Sequence, residues 1–363
     1  MVKENLRSLL KELTQVNGGS GQEQPVIKAV LALIEPYVDE VSVDLKGNII
    51  ALKKGYKEGP NLMFAAHTDE IGLIVKNILP NGFILFEKIG GVPDNLLPGR
   101  KVVIGKNQIP GVIGNKPGHL QSPKEAKVVK SASECYVDVA MFSREEVEAS
   151  GIRIGDQIIW TSDFMEMHNK DYIATKAVDD RICCSILIEL FRNIKKEDFA
   201  GTLYGVFTVQ EEVGLYGAET AVYRVPADYA IALDTIPCGD TPEVNTEIEL
   251  PIRLNQGPGL PVADGVGDRF FSFIHPAIRQ VIENKAEGLS IPLQKVAIVS
   301  GGYTTDGAAL TRANGGLPAG TLAVPRRYSH SPVELVSLND VVAVYQIVEA
   351  IVKDNENINL SFI

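Results

Sequence analysis

Asn61-Leu62-Met63-Phe64-Ala65-Ala66-His67-Thr68-Asp69-Glu70 is the stretch on which the fold turns. Leu62 to Ala66 are apolar without a break, and the run stops abruptly at four polar residues. A short, non-alternating apolar run reads as a strand buried on both faces, as in a parallel sheet covered by helices. The polar groups then stand at the carboxyl end of that strand, where open α/β sheets bind their ligands.

The sequence on either side supports this reading. Residues 4–16 and 23–37 carry helical periodicity, split by the loop Gly18-Gly19-Ser20-Gly21, and two strands are expected around Asn48. From about 71 to 172 the texture changes. Short strand-like pieces (Gly72–Ile78, Phe83–Lys88, Lys101–Ile104, Cys135–Met141, Gln157–Trp160) alternate with Gly, Pro and Asn turns. Asn81-Gly82 predicts a hairpin, and only Arg144–Ala149 reads as helix. After Tyr172 helices are expected at Arg181–Ile194, Gly217–Tyr223 and near 276–286, 306–313 and 339–353. Strands are expected at Thr202–Gln210, Tyr229–Leu233, 292–299 and 319–324. The expected fold class is α/β, a three-layer mixed, largely parallel sheet with flanking helices, plus an inserted small β-barrel-like domain. The main domain is then discontinuous, residues 1–70 and 173–363, with the insertion at 71–172.

Composition narrows the function classes. The 363 residues are 45% apolar and 22% charged, an ordinary globular balance with length enough for a large domain and a smaller one. A net charge of −11 argues against a nucleic-acid partner and gives no reason to expect an anionic membrane. The N-terminus, Met1-Val2-Lys3-Glu4-Asn5-Leu6, lacks the apolar core of a signal peptide. Val341 to Val352 is broken by Gln346 and Glu349 and reads as a packed helix, not a membrane span. Cys135, Cys183, Cys184 and Cys238 form no CxxC pattern and are expected as free thiols, so a cytoplasmic location is expected.

Several expected strand ends carry acidic or imidazole groups: His67-Thr68-Asp69, Asp179-Asp180, Glu211-Glu212, Asp234 and His330. Residues two apart on a strand share a face, so Asp69 can hold one nitrogen of His67 while the other binds a cation. Asp179-Asp180 precedes a helix, where Asp is also an ordinary N-cap. Glu211 and Glu212 repel each other. A buried site tolerates such a pair only with cations present or with one carboxyl protonated, and position leaves open which would bind and which would act as a base. Asp234 alone is equally a turn cap, and His330 alone a solvated loop residue. His119, His168 and His275 read as structural or surface residues. Together the candidates supply nitrogen and oxygen donors suited to zinc, cobalt or manganese. Two such cations at close range activate water and polarise a carbonyl. The chain carries no G-x-S-x-G elbow and no Walker-type loop. The residues by themselves therefore point to a two-metal hydrolase.

Five motifs in order then add a resemblance. Ala66-His67-Thr68-Asp69-Glu70-Ile71-Gly72, Ala177-Val178-Asp179-Asp180-Arg181, Gln210-Glu211-Glu212-Val213-Gly214, Ala232-Leu233-Asp234 and Pro325-Arg326-Arg327-Tyr328-Ser329-His330-Ser331-Pro332-Val333-Glu334 resemble the M42 metallopeptidases, glutamyl and deblocking aminopeptidases among them. The resemblance runs from near residue 5 to near 353. It implies one cation held by His67, Asp179 and Asp234 and a second by Asp179, Glu212 and His330, with Asp179 preferred over Asp180 as the bridge and the Asp179–Asp180 peptide cis. It implies Glu211 as general base and acid and Asp69 as the residue that orients His67. Implied too are short peptide substrates cleaved at the N-terminus and a homo-oligomer, often a hollow tetrahedral dodecamer built with the help of the β domain. Other two-metal amidohydrolases such as deacylases remain an alternative. An endoglucanase ranks low, and a binding or scaffold protein on this fold is the non-enzyme alternative. Two stretches depart from the family pattern, Ser300-Gly301-Gly302-Tyr303-Thr304-Thr305-Asp306 and the loop Asn255 to Arg269, which reads as irregular. Both are expected on the substrate side. A preference for acidic N-terminal residues would need a basic group there, with Arg253, Arg269 and Arg312 as candidates.

Overall fold

Along Asn61–His67 successive side chains go to opposite faces of a strand. Leu62, Phe64 and Ala66 join one apolar cluster, and Met63 and Ala65 join another. That alternation, repeated in neighbouring strands, makes a sheet with a helical layer on each side. The computed structural model describes residues 1–266, 270–299 and 302–362.

The helices are α1 (Val2–Thr14), α2 (Gln24–Ile34), α3 (Arg144–Ala149), α4 (Val178–Asn193), α5 (Tyr216–Ala221), α6 (Pro276–Gly288), α7 (Asp306–Arg312) and α8 (Leu338–Lys353). The strands are β1 (Glu40–Val43), β2 (Ile49–Lys54), β3 (Asn61–His67), β4 (Gly72–Ile78), β5 (Ile84–Ile89), β6 (Lys101–Ile104), β7 (Ile109–Ile113), β8 (Val137–Asp138), β9 (Gln157–Trp160), β10 (Met165–Glu166), β11 (Tyr172–Thr175), β12 (Thr202–Thr208), β13 (Tyr229–Pro237), β14 (Gly259–Val266), β15 (Phe270–Phe273), β16 (Gln294–Ile298), β17 (Ala319–Arg327) and β18 (Glu334–Ser337).

One 12-stranded mixed sheet runs β1-β2-β12-β3-β13-β17-β18-β11-β10, with β14, β15 and β16 branching from it. Its centre, β12, β3, β13 and β17, is parallel, and the strands beyond on both sides are antiparallel. Helices α1, α2, α4, α6 and α8 cover one face through a large cluster with Phe64, Phe207 and Ile231. Helices α5 and α7 cover the other through Ala218, Ala221, Ala308 and Leu310. Helix α4 is apolar on nearly every side because it is buried on nearly every side. Its Phe191 lies over Gly205 of β12, where a Cβ would sit 2.5 Å from the ring. Its last carbonyls, Phe191 and Ile194, accept hydrogen bonds from Lys53 Nζ at 2.7 and 2.8 Å, a cation at a helix C-terminus.

A second sheet closes into a six-stranded barrel, β4-β5-β8-β7-β6-β9, around its own core of Leu73, Val75, Phe86, Ile104, Ile113 and Trp160. The Asn81-Gly82 turn closes β4 on β5. Gly82 has φ +87°, and a Cβ there would meet the Met141 carbonyl oxygen at 2.0 Å. The barrel strands end at Trp160, whereas β10 already pairs with β11 in the large sheet.

Where the expected elements and the structure differ, local chemistry explains it. Cys135–Met141 reduces to the two-residue β8. The stretch from Asn255, expected to be irregular, contains β14. Its pattern is hidden by Gly257, Pro258 and Pro261 and by a register shift against β16 between Pro261 and Ala263. Arg269, Ser300 and Gly301 lie outside the described residues. No helix among the described residues is long and apolar enough to cross a membrane.

Candidate metal centre

Parallel strands bring their carboxyl ends to one rim, and register decides which side chains meet there. In β13 Ala232 lies opposite Ala65 of β3, so Asp234 and His67, two residues further along each, share one face. Asp234 thus sits within β13, which continues to Pro237, and not at its end. In β12 Thr208 lies opposite His67, and the chain leaves that strand towards Glu211 and Glu212. Asp179 and Asp180 open α4 with non-helical angles, joined by a cis peptide bond. His330 lies in the loop after β17.

The structure gathers these residues. His67 Nε2 is 3.1 Å from Asp179 Oδ1 and 3.9 Å from Glu211 Oε2. His330 Nε2 is 3.4 Å from Asp179 Oδ2 and 3.4 Å from Glu212 Oε2. Asp179 therefore presents one oxygen to each imidazole. Three clusters have ligand atoms within 4.8 Å of one another: His67, Glu211 and Glu212; His67, Asp180 and Asp234; and Asp179, Glu212 and His330. The last is the second set implied by the resemblance. The middle one differs from the first set, with Asp180 in place of Asp179. Arg326 is hydrogen-bonded to Asp179 Oδ2, the oxygen that faces His330, while Oδ1 faces His67.

Around the clusters lies a layer of hydrogen bonds. His67 Nδ1 is 3.1 Å from the Asp69 main-chain carbonyl and 3.4 Å from Asp69 Oδ1. The Asp69 carboxylate also accepts from the main-chain N–H groups of Glu211 and Glu212, at 3.0 and 3.2 Å, and from the Ser20 hydroxyl at 2.6 Å. Cys184 donates its thiol to the His67 carbonyl at 3.1 Å, and Cys183 donates to that of Asp234 at 3.3 Å, so α4 holds both strands. Glu334 accepts from Arg326 at 2.5 Å and from the main-chain N–H groups of Asp179 and His330, both at 3.0 Å.

Burial and charge set the protonation. The carboxyls of Asp180, Glu211 and Asp234 are pushed well above the ordinary range, first by burial and then by neighbouring carboxylates, while His67 pulls the other way. Burial also raises Glu212 to about 7, against the charge of His330. Burial would lower His330, but Glu212 and Asp179 raise it to about 9. Burial likewise opposes protonation of His67, and the hydrogen bonds of Asp179 and Asp69 lift it well above the usual imidazole value. So many carboxylates in one buried place call for positive charge. Asp180 Oδ1 is buried with no hydrogen-bond partner among the described residues. With this donor set of imidazole nitrogens and carboxylate oxygens, the residues present fit a divalent cation.

Arg326, Glu334 and Ser20 carry no mark of a role in the sequence, although the first two stand in the motif around His330. Only their packing against Asp179, His330 and Asp69 reveals them. Five non-glycine residues with positive φ also flank the site: Ala177, Gln210, Leu215, Tyr328 and His330. Backbone strain of this kind collects at functional sites and leaves no mark in composition. His119 and His168 are exposed and His275 caps α6, its Nδ1 accepting from the Ala277 N–H at 3.3 Å.

The model of the M42 glutamyl aminopeptidase family matches residues 47–347. The chain belongs to this family. It is 36% identical to a putative aminopeptidase of Acetivibrio thermocellus over 97% of this chain and 100% of that protein. It is 32% identical to a lysyl aminopeptidase of Pyrococcus furiosus, covering 95% and 96% of the two. With a glutamyl aminopeptidase of Lactococcus lactis identity is 30%, covering 94% of each. Among solved structures, an aminopeptidase from the archaeon Desulfurococcus kamchatkensis superposes with a TM-score of 0.90 at 34% identity, over 98% of this chain and 96% of that one. A peptidase of Pyrococcus horikoshii that assembles into a tetrahedron or a large octahedral shell gives a TM-score of 0.83 at 30% identity, over 96% and 99%. This M42 chain is thus a peptide hydrolase.

Proposed function

We propose that this M42 peptidase removes the N-terminal residue from short peptides and depends on two divalent cations, zinc, cobalt or manganese. His67, Asp179 and Asp234 would hold one cation, and Asp179, Glu212 and His330 the other. The observation that carries this reading is the Asp179 carboxylate, with one oxygen 3.1 Å from His67 and the other 3.4 Å from His330. When bound, such cations lower the pKa of water and polarise a peptide carbonyl. The chain's own residues do the rest. Glu211, 8% exposed and lining the cleft, takes the proton of the attacking water on its carboxylate and returns it to the departing amine. Asp69 fixes the main chain of Glu211 and Glu212 and faces His67 Nδ1, so one carboxylate aligns base and ligands. Arg326 holds Asp179 against Glu334 and offsets part of the site's negative charge.

The barrel formed by β4 to β9 is proposed as an inserted unit at about 71–172 that supports a homo-oligomer, with a dodecamer favoured because relatives form closed shells. The four cysteines are free and buried, which supports a cytoplasmic location. The glycosidase alternative is disfavoured because both glutamates lie among imidazoles and aspartates.

The test uses aminoacyl-p-nitroanilides with and without chelator, then add-back of zinc, cobalt or manganese. Activity should require the cation and a free amine, and acetylated substrates should fail. Glu211→Gln should keep its metal content while kcat falls by about a hundredfold to ten-thousandfold. Full activity in that variant would remove Glu211 as the base, and turnover insensitive to chelator would end the two-cation reading.

A further inference from the structure

A cleft of about 690 Å³ opens above Asp179, Glu211, Glu212, Asp234 and His330. Its floor is the cluster described above. Its wall is different in kind, made by Val213, Leu215, Pro237, Val266, Tyr303 and Thr304. The Tyr303 hydroxyl donates to the Thr235 carbonyl at 2.9 Å, which anchors this lining residue at the cleft. The main chain of the same residue is fixed to β14, where Gly265 N–H donates to the Tyr303 carbonyl at 2.8 Å. The Thr304 hydroxyl has no hydrogen-bond partner among the described residues. Of the wall residues, Val266, Tyr303 and Thr304 come from the two stretches that depart from the family's sequence pattern.

The wall carries no charge among the described residues. Arg326 is the only Lys or Arg among the described lining residues. It is 3% exposed and already committed to Asp179, Glu334 and Thr235. Arg253 pairs with Glu247 on an exposed loop, and Arg312 donates to the Ala308 carbonyl at the far end of α7. Neither lines the cleft. On the acidic side, Asp264 is buried beside the Tyr303 segment and stays out of the lining.

We propose that this wall receives the side chain of the substrate's first residue and selects uncharged, apolar residues of leucine or methionine size over acidic and basic ones. The proposal rests on the aminopeptidase reading above. An incoming carboxylate would lose its water against a ring and aliphatic groups, with no unpaired cation in the described wall and a carboxylate-rich floor beside it. An incoming ammonium would lose its water equally, since the floor carboxylates are those assigned to the cations. Desolvating a charge without a partner is the costliest mismatch a site can impose. This chain thereby separates from its glutamyl and lysyl relatives.

The experiment compares Leu, Met, Ala, Glu and Lys p-nitroanilides on the cation-loaded enzyme. Leu or Met should exceed Glu and Lys in kcat/KM by about tenfold to a hundredfold. Val266→Lys should then narrow the Leu-to-Glu ratio by about tenfold, as a new cation meets the substrate carboxylate. Glu or Lys turned over as well as Leu overturns this proposal alone. No release from any of the five overturns the aminopeptidase reading and this proposal with it. A folded Val266→Lys variant with an unchanged ratio overturns the assignment of the wall.

Discussion

Asp69 accepts hydrogen bonds from Ser20, Glu211 and Glu212 and faces His67, so one carboxylate joins residues from three parts of the chain. The i, i+2 spacing of His67 and Asp69 was legible in the sequence. The reach to Glu211 and Glu212 was not, because it depends on β12 lying beside β3. The imidazoles give a pH prediction. Both His67 and His330 are raised above the ordinary imidazole value in the cation-free protein, His330 to about 9. A folded-state pKa above the unfolded value of 6.5 means stability that is fully present below that pH and is lost as pH rises through about 9. The raised carboxyls of Asp180, Glu211 and Asp234 act in the same direction. Chelated protein followed by scanning calorimetry should therefore lose Tm between pH 6.5 and 9, and added divalent cation should reduce the loss by replacing the bound protons. A Tm in chelator that is flat or rising over that range would refute this account of the site's charge.

At the scale of elements, the contact between α4 and β12 governs how well the site is held. Helix α4 carries Asp179 and Asp180 at one end and the two thiols that grip β3 and β13, and its Phe191 rests on Gly205. Gly205→Ala places a methyl 2.5 Å from that ring. It should cost about 1–3 kcal/mol in urea unfolding, as overpacking does in other cores. Phe191→Leu should recover part of the loss in the double variant, giving a coupling that separate single effects would not predict. Additive losses in the cycle would show that the two residues do not press on each other. The periodicity of α4 was readable from Arg181 to Ile194. The glycine under it was not, since a lone Gly in a strand signals close approach without naming the neighbour.

At the scale of the molecule, two cores with different logic share one chain, a layered sheet and a closed barrel. The barrel leaves Val112, Phe142 and Ile154 exposed, apolar surface of the kind that subunits bury against one another. Light scattering on the purified protein should give a mass near twelve times the 39.4 kDa of one chain. A monomer at micromolar concentration would refute the proposed assembly without touching the chemistry of the site.

The sequence by itself determined the α/β alternation, the β-rich stretch between its halves and the residue types that could bind cations. Each is a local matter of periodicity, turn residues or side-chain chemistry. Only the tertiary structure decided which of those residues meet. Parallel register sets Asp234 beside His67, and the loop after β17 brings His330 to Asp179. It also exposed Arg326, Glu334 and Ser20 as supports, and it turned the irregular-looking stretch after Asn255 into β14, whose Val266 lines the cleft. The physical reason is that hydrogen bonds and charge pairs act over a few ångströms of space, whatever the separation along the chain. His67 and His330 flank one carboxylate although hundreds of residues lie between them.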